Sequence, residues 1–166
     1  MKTKFFVLLF FFTILHSYSQ NTAVDEFRKE YDQVSKDSAT CAKLYKKAIR
    51  SSNADNITTA YRGAITAAMA NHSKDKKEKL NVFNTGKKLL EKAISADSSN
   101  IETRFLRFTI QSSCPKALGY NKQIASDKNF ILKNYSASTN AAVKKMISSF
   151  ANATSYFTKA DKEKLK

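Results

Sequence analysis

Glycine, proline, tryptophan and histidine are nearly missing from this chain. Its 166 residues include three Gly, one Pro, no Trp and two His. Sandwiches and barrels need a turn every ~8–12 residues, and so few turn-formers cannot supply them. The shortage predicts an all-α fold. With two Cys and two His there is no clustered set of metal ligands. Acidic residues are the minority charge, 14 against 29 Lys+Arg, for a formal net charge of +15. What is present is 42% hydrophobic residues, enough for a core at a length usual for one domain.

The one long apolar run lies at the start. Met1-Lys-Thr-Lys4 is a basic segment, Phe5 to Leu15 is apolar, and Ser17-Tyr18-Ser19 is a small-x-small site. This order predicts a signal peptide over 1–19, cut between Ser19 and Gln20, and a single all-helical domain over 20–166. The run is about half the ~20 residues a bilayer span needs, so no transmembrane span is expected in the mature chain. No Cys lies near the site to accept a lipid. Cleavage leaves 27 basic against 14 acidic residues, a net +13, in a periplasmic or secreted protein. An oxidising destination would permit a Cys41–Cys114 disulfide. The alternative is two separate thiols, with Cys41 packed on an apolar stripe and Cys114 at a helix end before Pro115. In a eukaryotic source Asn56-Ile-Thr58 and Asn134-Tyr-Ser136 would be glycosylation acceptors.

Hydrophobic spacing predicts about seven helices. Val24, Phe27, Tyr31 and Val34 share one face of a helix near 22–35. Cys41, Leu44, Tyr45, Ala48 and Ile49 form the stripe of a second, capped by Asp37 or Ser38. A third starts near Asp55 and turns Ile57, Ala60, Tyr61, Ala64, Ile65 and Ala68 inward. The fourth, about 74–96, buries Leu80, Phe83, Leu89, Leu90, Ala93 and Ile94, with Gly86 on the same face implying close backbone approach. In the fifth, about 100–113, one stripe is Ile101, Phe105 and Phe108 and another is Leu106 and Ile110, so it is buried on most sides. A loop from Ser113 to Tyr120 precedes helices near 121–135 and from Ser138, and Thr158-Lys-Ala-Asp161 starts a short C-terminal turn.

Lys43-Leu-Tyr-Lys-Lys-Ala-Ile49 matches Lys88-Leu-Leu-Glu-Lys-Ala-Ile94 at five of seven positions, and each leads to a polar turn and Asn56-Ile57 or Asn100-Ile101. Such a period is the mark of stacked helix pairs. Lys92-Ala-Ile-x-x-Asp97, followed by a short turn and an aromatic-bearing helix, resembles the tetratricopeptide repeat family over roughly residues 40–112. The resemblance implies a short stack of antiparallel helix pairs that works by binding. The chain departs from the family at Ser98, where Pro is usual, and at Gly63, two residues after Tyr61. The stretch Asn100-Ile-Glu-Thr-Arg-Phe-Leu-Arg107, with Leu118-Gly-Tyr-Asn121 and Asp127-Lys128, also resembles uncharacterised exported helical proteins of Gram-negative bacteria, a likeness that implies no activity.

Catalytic chemistry finds little support. His72 is the one histidine of the mature chain and stands in the Asn71-His-Ser-Lys74 turn without a nucleophile beside it. Asp25 and Glu26, Asp75 and Glu78, and Asp161 and Glu163 sit in first helical turns, where they favour the helix dipole. No phosphate-cradling or dinucleotide loop is present, and no cofactor is expected. The candidate ligand contacts are Tyr61, Arg104, Arg107 and Gln111, read as one groove face on which two Arg a turn apart clamp an anion. The alternative is that both Arg pair with Glu102 or nearby acids. On the first reading, removing both Arg abolishes capture and leaves the fold intact. The Pro115–Tyr120 loop is a second candidate, unless Leu118 and Tyr120 only plug the core edge. The expected function is a non-enzymatic scaffold for an envelope protein or ligand. The alternative is a cationic protein held to anionic glycan or lipid by net charge. Export makes nucleic acid an improbable partner.

Overall fold

The computed structural model describes residues 23–51 and 55–166, and all regular structure among them is helical. The expected signal peptide and the Ser19–Gln20 cleavage site lie outside these residues. Eight α-helices follow one another: α1 (23–30), α2 (Ser38–Arg50), α3 (Asn56–Met69), α4 (Lys76–Ala96), α5 (Ile101–Ser113), α6 (Ile124–Asn134), α7 (Ala141–Ala153) and α8 (Lys159–Glu163). Single 3-10 turns follow α1, α3 and α5. Among the described residues no helix is long and apolar enough to cross a membrane.

Short polar side chains begin most of these helices. Asp37, Asp55, Asp75, Asn100 and Asn140 each accept a backbone N–H of the first turn of α2, α3, α4, α5 and α7, a contribution of about 1 kcal/mol apiece. Thr158 and Asp161 close a reciprocal capping box on α8. Asn140, not Ser138, starts α7, because its Oδ1 reaches the amides of Ala142 and Val143.

Cross-helix contacts fix the directions. Glu30 meets Lys43 and Glu26 meets Lys47, so α1 and α2 are antiparallel. Asn56 donates to the Ala93 carbonyl at 2.9 Å, and Gly63 faces Leu90 while Gly86 faces Ala67, so α3 and α4 are antiparallel as well. A Cβ on Gly86 would lie 2.2 Å from the Ala67 nitrogen, and one on Gly63 2.5 Å from that of Leu90. The two backbones touch where the sequence has no side chain. α5 and α6 form the third antiparallel pair through Arg104 and Arg107 to Asp127 and Gln111 to Gln123. Arg28 reaches Glu102 and Tyr31 reaches Thr109, so α1 and α5 run in the same direction. The chain is a stack of antiparallel helix pairs.

Two buried clusters share α5 as their wall. Leu106 and Ile110 join Phe27, Leu44, Tyr61, Ile65, Phe83 and Leu90 on one side. Phe105 and Phe108 join Ile131, Ile147, Phe157 and Leu165 on the other. Both stripes expected of this helix are therefore used. Two apolar residues expected inward are exposed: Ile49 at 44% and Leu80 at 45%.

The two matched segments share the spacing of their caps and differ in their packing. Asp55 accepts the amide of Thr58 and Asn100 that of Thr103, a constant offset of 45. The equivalent of Asn100 is thus Asp55, not Asn56. Upstream, Leu44 and Ala48 are buried in α2, whereas Leu90, Ala93 and Ile94 are buried in α4. The matching letters therefore face the core with a rotation of about one residue.

Candidate functional site

Tyr61, Arg104, Arg107 and Gln111 do not form one open face. Tyr61 is wholly buried on α3, packed on the rings of Phe27 and Tyr31 with centroids 5.5 and 5.7 Å away. Its hydroxyl donates to Glu102 Oε1 at 2.7 Å, and Arg28 holds the same carboxylate through Nε at 2.7 Å and Nη2 at 2.9 Å. Burial, then the Glu102 charge, pushes the Tyr61 phenol well above its ordinary pKa. The hydrogen bond to Glu102, against an opposing desolvation, raises that of Arg28.

Arg107 and Gln111 are also buried, and they point toward α4 and α6 instead. Arg107 grips Asp127 with Nε at 2.7 Å and Nη2 at 2.8 Å, and reaches Glu91 through Nη1 at 3.1 Å. Arg104 adds Nη1 at 3.0 Å to Asp127 and stacks over Phe130. Burial works hardest on Arg107 against its charge, but the hydrogen bond and charge of Asp127, with Glu91 behind it, outweigh that and raise its pKa. Gln111 exchanges two hydrogen bonds with Gln123, at 2.8 and 3.1 Å. Tyr120 donates to Glu91 at 2.6 Å. Arg107 spends its fork on Asp127, and Arg104 gives Nη1 to the same carboxylate and Nε to the Ser98 carbonyl at 2.8 Å, so the anion clamp expected from the two is already filled by an internal acid.

Cys41 and Cys114 are both free thiols. Cys41 is buried against Met69, its Sγ 3.7 Å from the thioether sulfur, and burial, with a lesser push from Asp37, raises its pKa to about 11. His72 is half-buried, with Nε2 2.9 Å from the Val34 carbonyl oxygen. The amides of Asn56 and Asn134 donate to the carbonyls of Ala93 and Phe130. In the loop, Tyr120 does plug the core while Leu118 stays 40% exposed. Among the described residues no three His, Cys, Asp or Glu side chains group as a metal would require.

Open space lies at the end of the stack where α3 and α5 finish. α7 crosses the face shared by α1, α3 and α5, setting Met146 against the Tyr61 hydroxyl and Phe150 against Phe105 and Phe108. Beside it is a cleft of about 350 Å³ walled by Tyr31, Ala68, Phe105, Ile110, Met146 and Phe150. Thr154 also lines it, and its buried Oγ1 has no hydrogen-bond partner among the described residues. Tyr156 stands at the lip and donates to the Ser112 carbonyl at 3.0 Å. A second cleft of about 350 Å³ lies across the seam, between α4 and the Pro115–Leu118 loop, with Phe83, Leu80 and Leu118 in its wall. Ala68, Asn71, Ile110 and Ser113 line both.

Sequence reasoning missed these clefts and, of the acids, named only Glu102 as a partner of the two Arg, whereas Asp127 and Glu91 take that place and Glu102 is held by Arg28 and Tyr61. Asp127 was detectable, because it stands three residues after Ile124 and four before Ile131, on the apolar face of α6. An acid there needs an inward cation. The clefts arise where Ser112, Ser113, Ser149 and Ala153 give helix ends too little side-chain volume to fill the gap.

Comparison with protein-family models, with curated proteins and with solved structures returned no match.

Proposed function

We propose that this chain is an exported, non-enzymatic binding module of tetratricopeptide-like architecture, and that its ligand enters the paired clefts at the ends of α3 and α5. The observation that carries the reading is two adjoining, largely apolar clefts, each about 350 Å³, within the ~300–1,000 Å³ of small-ligand sites. The basic segment, apolar run and Ser19–Gln20 site support export. The constant 45-residue offset of the Asp55 and Asn100 caps supports a helix-pair repeat. Catalysis lacks a candidate centre here, since the strongly perturbed side chains Tyr61, Tyr120, Tyr31 and Arg28 are each tied to an internal partner.

Ser113 provides the test, because it is exposed, borders both clefts, and makes only an intrahelical bond to the Thr109 carbonyl. Ser113→Phe fills the seam. A neutral polarity-sensitive dye, N-phenyl-1-naphthylamine, should bind the wild-type protein saturably and the variant several-fold more weakly at unchanged helicity. Equal binding by a folded variant would remove the clefts from the account.

A further inference from the structure

The second cleft has a polarity along its length. Lys76, Lys79, Leu80 and Phe83 all border it, and their spacing of i, i+3, i+4 and i+7 puts them on one face of α4. The two ammonium groups lie at the N-terminal end and the two apolar side chains one turn further, over roughly 10 Å at 1.5 Å per residue. Leu118 closes the opposite wall from the loop, and Ile110 and Ala67 form the base.

Like most lysines among the described residues, Lys76 and Lys79 have no ion-pair partner, and what sets them apart is their place at the apolar cleft. Lys43, Lys47 and Lys128 have carboxylates at ion-pair distance, whereas Lys76 and Lys79 have none among the described residues. The acids of the same turn serve the helix start: Asp75 accepts the Glu78 amide at 2.7 Å, and Glu78 accepts the Ser73 hydroxyl at 2.7 Å. Two cations without a carboxylate at ion-pair distance among the described residues stand at one end of an apolar trough whose rim leucines are 45% and 40% exposed. A ligand complementary to this surface has one anionic end and one apolar end.

We propose that this cleft takes a free single-chain anionic amphiphile, of the fatty-acid class. Its tail lies between Phe83, Ile110, Leu80 and Leu118, and its carboxylate sits between the ammonium groups of Lys76 and Lys79. This rests on the reading of the clefts as a binding site and names the ligand class for one of them. A protein helix would need a longer furrow. A membrane surface would need cations spread over a face and not gathered at the end of a small cleft.

Calorimetric titration of the purified protein with dodecanoate, below its micelle concentration, tests the proposal. The expected result is one saturable site that Lys76→Ala with Lys79→Ala weakens by about tenfold, exposed ion pairs being individually modest. Lys133→Ala with Lys145→Ala, two exposed lysines elsewhere, should leave it unchanged, and uncharged dodecyl maltoside should bind more weakly. Equal loss in both lysine pairs would show attraction to net charge and overturn the assignment. So would equal affinity for the maltoside, or binding confined to phosphatidylglycerol vesicles. Neutral dye binding that Ser113→Phe abolishes, with no dodecanoate binding, would sink this proposal and leave the broader reading standing.

Discussion

Asp127 has no solvent exposure, and that governs what Arg104 and Arg107 do. A buried carboxylate held by two guanidinium groups is costly to orphan, so Arg107→Ala should lower stability by about 3–5 kcal/mol. Urea unfolding checks this, and a loss under about 0.5 kcal/mol would contradict the pairing. Arg107→Lys should fall between, since one ammonium cannot span both oxygens. The double Arg variant is therefore a folding variant first, contrary to what exposed arginines would give. The same logic separates the thiols. Cys41 is wholly buried and its pKa is raised to about 11 from 9.0, while Cys114 is half-buried. Iodoacetamide at pH 8 should modify Cys114 in the native protein and Cys41 only after denaturation. The Cys41 contribution to stability is fully present below pH about 9 and is lost as pH rises toward about 11. At this scale the sequence revealed types but not partners: burial of Cys41 follows from its stripe, whereas the partner of Arg107 is 20 residues away on another helix.

Close approach of α3 and α4 depends on Gly63 and Gly86. Alanine is the better helix former by about 1 kcal/mol, yet each added Cβ would meet backbone atoms under 3.0 Å away, and backbone cannot swing aside. Gly86→Ala should destabilise by about 1–3 kcal/mol or more, visible as a lowered thermal midpoint. A raised midpoint would mean that the helices separate freely. Gly86 was legible from its place on an apolar face. The depth of contact was not, because it depends on Ala67 opposite. α8 offers a pH test. The hydrogen bond from Lys128, and then the Thr158 amide, lower the Asp161 pKa from 3.8 to about 2. A depressed carboxyl stabilises above its ordinary value, so the support for α8 should persist above pH about 4 and fade as pH falls toward about 2. Amide resonances of residues 159–163 should drift to coil positions in that window, and Asp161→Asn should bring the drift to neutral pH. The capping box was readable in Thr158 and Asp161, but the long-range tie to Lys128 was not.

Among the described residues, helical periodicity carried the reading furthest: the places of the helices and both stripes of α5 follow from short-range patterns, although the first helix ends at 30 and not near 35. Which way a polar face looks is different, because it depends on what packs over it. Tyr61 is closed off by Phe27 and Tyr31 against its ring, by Glu102 at its hydroxyl and by Met146 of α7 beside that hydroxyl. The clefts are absences of volume at the ends of three helices, and no local pattern encodes a gap. On this reading recognition is confined to one end of the stack, although the mature chain carries a net charge of +13. The direct measurement is a backbone amide shift map of the labelled protein during titration with dodecanoate. The account predicts shifts confined to residues 67–71, 76–83 and 110–118, saturating together. Shifts scattered over the lysine-bearing faces of α2, α6 and α7, or none within these three segments, would contradict it.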